Sequence, residues 1–201
     1  GQATGFPAGW TKATDISVST EDQRDRVVDV GYKVASSEGT SYAFTNNGDN
    51  TEEMQCVVVV YSDTNATQLD VTPTASHYVV GSNSNAPDPP SITSSTNGAM
   101  LLAFATLSGT AGTRSCSIIT SPDNWTVRHG STDPVDNAFI CIQEFELATA
   151  GAYNPGVVDI ANGNGCTASP PDSTNCTDDS YAATIAIAPA STSNSVLFFT
   201  R

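Results

Sequence analysis

The sequence can be laid on itself, and an internal repeat restricts the fold before any single residue is weighed. In the first half "PAGWTKATD", "RVVDVGYKVASSEGTSYAF" and "MQCVVVVYS" follow one another. In the second half "SPDNWTVRHG", "FICIQEFELATAGAYNPGVV" and "YAATIAIAPA" follow in the same order. Trp10 aligns with Trp125, each followed by Thr. Tyr32-Lys33-Val34-Ala35 aligns with Phe145-Glu146-Leu147-Ala148, and Met54 to Val60 with Tyr181 to Ile187. The spacing of these segments differs between the two copies only by loop-sized insertions.

Each copy reads as strands. Val28, Val30, Tyr32 and Val34 alternate with Asp29, Gly31, Lys33 and Ala35, the pattern of a strand with one wet face. Val57 to Val60 does not alternate, which suits a central strand buried on both sides. Lys, Arg, Glu and Leu are scarce, while Gly, Pro, Ser, Thr, Asn and Asp abound in clusters such as "TNNGDNT" and "ANGNG". That balance disfavours helices and favours short strands joined by turns. The expected fold is all-β: two pseudo-repeated antiparallel β-sandwich modules, Ig-like or jelly-roll-like. Residues 1–85 form the first and residues 86–193 the second, joined through "TASHYVVGSNSNAPDPP".

The first copy lacks a strand. "NGAMLLAFATL" precedes Trp125, whereas only "GQATGFPAG" precedes Trp10. The ending "NSVLFF" (194–199) resembles "NGAMLL" (97–102), so residues 194–201 are read as a C-terminal strand able to complete the first copy. Val196, Leu197, Phe198 and Phe199 would meet Val28, Val30, Val58 and Val60. They would do so in cis, or in trans as a strand donated to a second copy. A third reading makes 194–201 the start of another repeat in a longer array. The first residue is Gly, not Met, which points to a processed or longer product.

"PAGWTKATD…VGYKVASSEGTSYAF…VVVVYS" and "PPSITSSTNGAMLLAFA…NWTVRHG…SYAATIAIAPA" together resemble a tandem β-sandwich repeat of bacteriophage virion proteins. That repeat occurs in tail, fibre and capsid-decorating proteins and in related bacterial surface proteins. The resemblance covers nearly the whole chain, apart from the missing first strand of the first copy. It implies a non-enzymatic structural role on a virion exterior, in assembly or host attachment. The implied partners are copies of itself, other virion proteins or a host-surface glycan. The alternatives are a secreted carbohydrate-binding or adhesion module, for which Tyr78 and Tyr153 are the loop aromatics, and a cell-surface filament subunit.

Charge and motifs narrow the chemistry. Twenty-one acidic residues against 7 basic ones give a net charge of −14. There is thus no basic footprint for nucleic acid. The longest apolar runs are strand-sized, far short of the roughly 20 residues of a membrane-spanning helix, so membrane insertion is not expected. The resemblance implies a place on a virion exterior or otherwise outside the cell. No nucleophile elbow accompanies His129, Ser131 and Asp133. Glu144 and Glu146 fall on one strand face, the one arrangement with acid–base spacing. No organic cofactor is implied. Structural calcium has Asp49, Glu52, Asp178 and Asp179 as oxygen ligands in loops. Cys166 and Cys176 flank a polar loop that a disulfide would staple, Cys116 and Cys141 sit in apolar strand patterns able to face each other, and Cys56 is left as a small buried hydrophobe. Asn65 and Asn175 are loop sequons.

Overall fold

The apolar runs become strands, and in this computed structural model the chain is all-β. The structure describes residues 6–18, 26–36, 38–39, 41–44, 56–78, 87–108, 114–119, 123, 125–130, 138–158, 160–162, 180–190 and 194–200. In chain order the strands are β1 (Thr11–Val18), β2 (Arg26–Val34), β3 (Val57–Leu69), β4 (Thr74–Tyr78), β5 (Ile92–Ser94), β6 (Ala99–Ser108) and β7 (Arg114–Cys116). There follow β8 (Thr126–Gly130), β9 (Ala138–Leu147), β10 (Gly151–Tyr153), β11 (Ile160–Asn162), β12 (Ser180–Pro189) and β13 (Asn194–Thr200).

One nine-stranded sheet carries most of them, in the order β1-β2-β13-β3-β12-β6-β9-β8, with β4 also on β12. The ribbons β5–β10 and β7–β11 stand apart. The two sequence copies are therefore the two ends of one sheet, where a separate sandwich for each was expected. β3 joins the ends. Its first part pairs with β13 and its last part with β12, the changeover falling at Thr64.

The sheet folds back on itself across that joint. Val30, Val57 and Phe198 of the first end pack with Leu102, Phe104, Ile140, Ile142, Ala183, Ile185 and Ile187 of the second. Thr14, Val28 and Val30 line a small gap in this layer against Phe104, Thr106 and Tyr181 to Ala183. The opposite face of β6, β9 and β12 is covered as well. There Leu101, Ala103, Ala105, Phe139, Cys141 and Ala186 pack beneath Ile92, Ile119, Trp125, Val158 and Ile160. β6 and β12 thus need apolar residues on both faces, which is why "AMLLAFA" and "YAATIAIA" show no alternation.

The registers of the two ends match, one residue away from the sequence alignment. Thr11 pairs with Tyr32 and Lys12 with Gly31; after a bulge Thr14 pairs with Val30. At the other end Thr126 pairs with Glu144 and Val127 with Gln143; after a bulge His129 pairs with Ile142. Tyr32 therefore corresponds to Glu144, not to Phe145. The alignment matched aromatic to aromatic, but Tyr32 packs toward the interlayer core while Phe145 packs beneath the outer cover. A slip of one residue exchanges the faces of a strand.

Three further expectations are corrected. β2 has no fully wet face: Asp29 is 0% exposed and paired with Lys12 at 2.8 Å, and the Phe6 ring lies over Gly31, where a Cβ would collide with it. Val57 to Val60 is not buried on both sides, since Val58 is 40% and Val60 63% exposed. Cys56 is exposed, not buried. Cys116 and Cys141 form a disulfide with a Cα–Cα distance of 5.8 Å. It fastens β7 to β9.

Phe198 fills the interlayer core from the middle of a ladder, so its truncation should be felt fully. Phe198→Ala should lower unfolding stability by about 3–5 kcal/mol, read as an earlier urea midpoint with an unchanged slope.

Candidate assembly site

β13 is held between β2 and β3, hydrogen-bonded to both. Val196 stands opposite Val34 and Tyr61, and Leu197 opposite Lys33 and Val60. Phe198 stands opposite Tyr32 and Val59, and Phe199 opposite Gly31 and Val58. The strand comes from the same chain, so the pairing is in cis. Phe198 is fully buried. Its ring lies 6.1 Å from Tyr32 and, edge-on, 6.1 Å from Tyr61. Val30 lies opposite Thr200 in the same ladder, and Val28, also buried, lies two residues further along β2. Val58 and Val60 meet β13 through the backbone ladder, on a face that stays open.

One end of the interlayer seam is closed by polar contacts. Tyr61 Oη donates to Glu144 Oε2 at 2.9 Å, and Arg128, the bulge residue of β8, pairs with Glu144 Oε1. Burial, and then the Glu144 charge, push the Tyr61 hydroxyl far above the usual phenol range. The Arg128 guanidinium is raised by its bond to Glu144, and burial lowers His129. Glu146, two residues on, is exposed. The two carboxylates are thus separated in role: Glu144 is engaged by two partners, and Glu146 faces solvent.

Other polar groups fasten the covers. Gln143 is buried; its Nε2 donates to Ser117 O and its Oε1 accepts from the Ile119 amide, each at 2.9 Å. Asp70, just past β3, accepts from Ser94 Oγ at 2.8 Å, Ser95 N at 2.6 Å and Ser95 Oγ at 2.7 Å, and from Thr96 Oγ1. Partial burial alone would raise its carboxyl. The side-chain bonds of Thr96, Ser95 and Ser94 with the Ser95 amide together outweigh that and hold it at about 2. On the outer face of β2, Phe6, Trp10, Tyr42 and Phe44 form an aromatic corner. Glu38 ties it down by accepting from Lys33, Tyr42 and the Ser36 amide, bonds that hold its carboxyl at about 2.

Sequence reasoning missed Tyr61, Arg128, Asp70 and Gln143. One signal was present: "QE" is the polar interruption of "FICIQEFEL". Tyr153 packs on Phe145 at 5.2 Å and donates to Asp123 at 2.8 Å, so it is a wall of the cover more than a stacking platform. Burial, then Asp123, raises its hydroxyl to about 12. Tyr78 pairs with Ser180 in the β4–β12 ladder. Asn65, expected in a loop, is half-buried within β3, where its Oδ1 accepts from Thr67 N at 3.2 Å. Asp49, Glu52, Asp178, Asp179, Cys166, Cys176 and Asn175 lie outside the described residues. Among the described residues no cluster of His, Cys, Asp and Glu is grouped to hold a metal. No protein-family model matches the chain, and no curated protein matches it.

Two outcomes follow. Glu144→Gln keeps an acceptor for Tyr61 but removes the charge facing Arg128, and should cost about 1–3 kcal/mol, read by thermal unfolding. The Asp70 carboxyl titrates at about 2 folded against roughly 4 unfolded. Its contribution is present above pH about 4 and is lost as pH falls toward 2. The stability gap between the native chain and Asp70→Asn should therefore narrow across that window, and a gap constant from pH 6 to pH 2 would show the bonds absent.

Proposed function

We propose that this chain is a non-enzymatic structural protein of a virus-particle exterior, in a tail, a fibre or a capsid decoration. In this reading the two pseudo-repeated ends of the sheet act in assembly or host attachment. Their partners are copies of the chain, other virion proteins or a host-surface glycan. The observation that carries the reading is the capture of β13 between β2 and β3, with Phe198 as its anchor. A strand that reaches its slot from the far end of the sequence is the element strand-pairing assemblies use. The buried or bonded carboxylates support it too. Asp29, Glu38, Asp70 and Glu144 all have partners inside the fold, which suits a rigid scaffold.

A second reading, a secreted adhesion module, draws on the half-exposed corner of Phe6, Trp10, Tyr42 and Phe44, since aromatic rings with polar neighbours suit a sugar face. Immunogold labelling with antibody to this chain separates the two. Gold on the tails, fibres or capsids of particles from the source culture is the expected result. Gold confined to cell surfaces or to particle-free medium would replace the virion reading with the adhesion or filament one.

A further inference from the structure

The Cys116–Cys141 bond joins two strands that other contacts already hold together. Cys141 lies in β9, paired with Ala105 of β6 on one side and Gly130 of β8 on the other. Cys116 ends β7, where it pairs with Ile160 of β11. The segment that follows is tied to β9 by Gln143, which accepts from the Ile119 amide and donates to Ser117 O. The Trp125 amide donates to Ile119 O at 3.0 Å. Ile119 and Ile160 are buried in the same apolar layer. Gly130 makes room for the Cys116 Cβ, which an added side chain there would press. None of these contacts depends on the covalent bond, and together they bring the two sulfurs side by side.

The two sulfurs differ in access. Cys141 is 0% exposed within the apolar layer, whereas Cys116 is half-buried at its edge. A reagent from solvent therefore reaches Cys116 before Cys141. Gln143 lies beside both, its Nε2 3.4 Å from Cys116 Sγ and 3.6 Å from Cys141 Sγ. A primary amide has two N–H donors. One serves Ser117 O, and the other faces the sulfur pair. An anionic sulfur formed among apolar side chains needs such a donor.

We infer that Cys116 and Cys141 form a redox lock that closes after the chain has folded, with Cys116 as the entry thiol and Cys141 as the resolving one. The oxidant is a small disulfide of the glutathione class. The Cys116 thiolate attacks one sulfur of that disulfide, forming a mixed disulfide and releasing one glutathione as its thiolate. The Cys141 thiolate then attacks Cys116 Sγ and expels the second glutathione. Two protein thiols are oxidised, one glutathione disulfide is reduced, and the two cysteine protons end on the two glutathione thiols. In a reducing compartment the pair stays open, and outside it the pair closes. Closure adds a covalent tie between the outer cover and β9. The inference stands whether or not the protein belongs to a virion.

The full chain, reduced without denaturant, should keep its β spectrum by far-ultraviolet circular dichroism. It should unfold cooperatively at an earlier urea midpoint than the oxidised chain. After glutathione disulfide is added to the folded, reduced chain, peptide mapping should find the bond between residues 116 and 141 restored. Cys141→Ser should accumulate glutathione on Cys116, and Cys116→Ser should leave Cys141 unmodified until urea is added. A reduced chain that has lost its β structure would overturn the inference, because the bond would then be needed for folding. Glutathione on Cys141 of folded Cys116→Ser would overturn it equally, by removing the order of access.

Discussion

The structure depends on Phe198 and the ladder around it. Among the described strands, β13 alone joins β2 to β3 in the sheet order, so removing it would leave β1 and β2 hydrogen-bonded only to each other. A two-stranded ribbon is marginal in water. Here it would also lose the ring against which Tyr32 and Tyr61 pack. The interlayer core is thus assembled from the first and last strands of the chain together. Contacts of such sequence separation carry a large loop-closure cost before they return any energy. β6, β9 and β12 are closer in sequence, and other segments cover both of their faces.

The scarce cations serve the same economy. Of 7 basic residues, Lys12, Lys33 and Arg128 each meet a carboxylate within the fold: Asp29, Glu38 and Glu144. Asp29 and Glu144 are buried, where an unpaired charge would cost several kcal/mol. Each of these pairs neutralises a carboxylate that the fold holds out of water.

Much of this was legible in the sequence, for reasons that differ by element. The order of the repeated segments survived because Trp10 and Trp125, each before a Thr, mark the entry into β1 and β8. Residues 194–199 were legible because four apolar residues in a row need cover. What failed was the choice of face. Tyr32 looked like Phe145, yet the bulges after Lys12 and Val127 fix Tyr32 opposite Thr11 and Glu144 opposite Thr126. Hydrophobicity cannot decide such a slip when both faces of β9 are covered, because Ile142 and Phe145 are apolar for different neighbours. Val57 to Val60 failed in the opposite direction. The run was read as buried because it is apolar, and half of its side chains are exposed. The Tyr61–Glu144 bond spans the two layers and leaves no trace at short sequence range.

The open valines are explained by what each end of the sheet has over its outer face. At the second end, the segments carrying Ile92, Ile119, Trp125, Val158 and Ile160 lie across β6 and β9 and bury Ala186 of β12. They are fastened by the Cys116–Cys141 disulfide and by Gln143. At the first end the described cover is an aromatic corner over β2, with Phe6 seated on Gly31. Gly31 is what allows it, since a Cβ there would collide with the ring. The corner covers β2, and Val58 and Val60, two strands away across β13, stay in water. Val58 and Val60 thus supply β propensity to the strand at the cost of apolar area in solvent, a cost that a Thr at the same positions would lower.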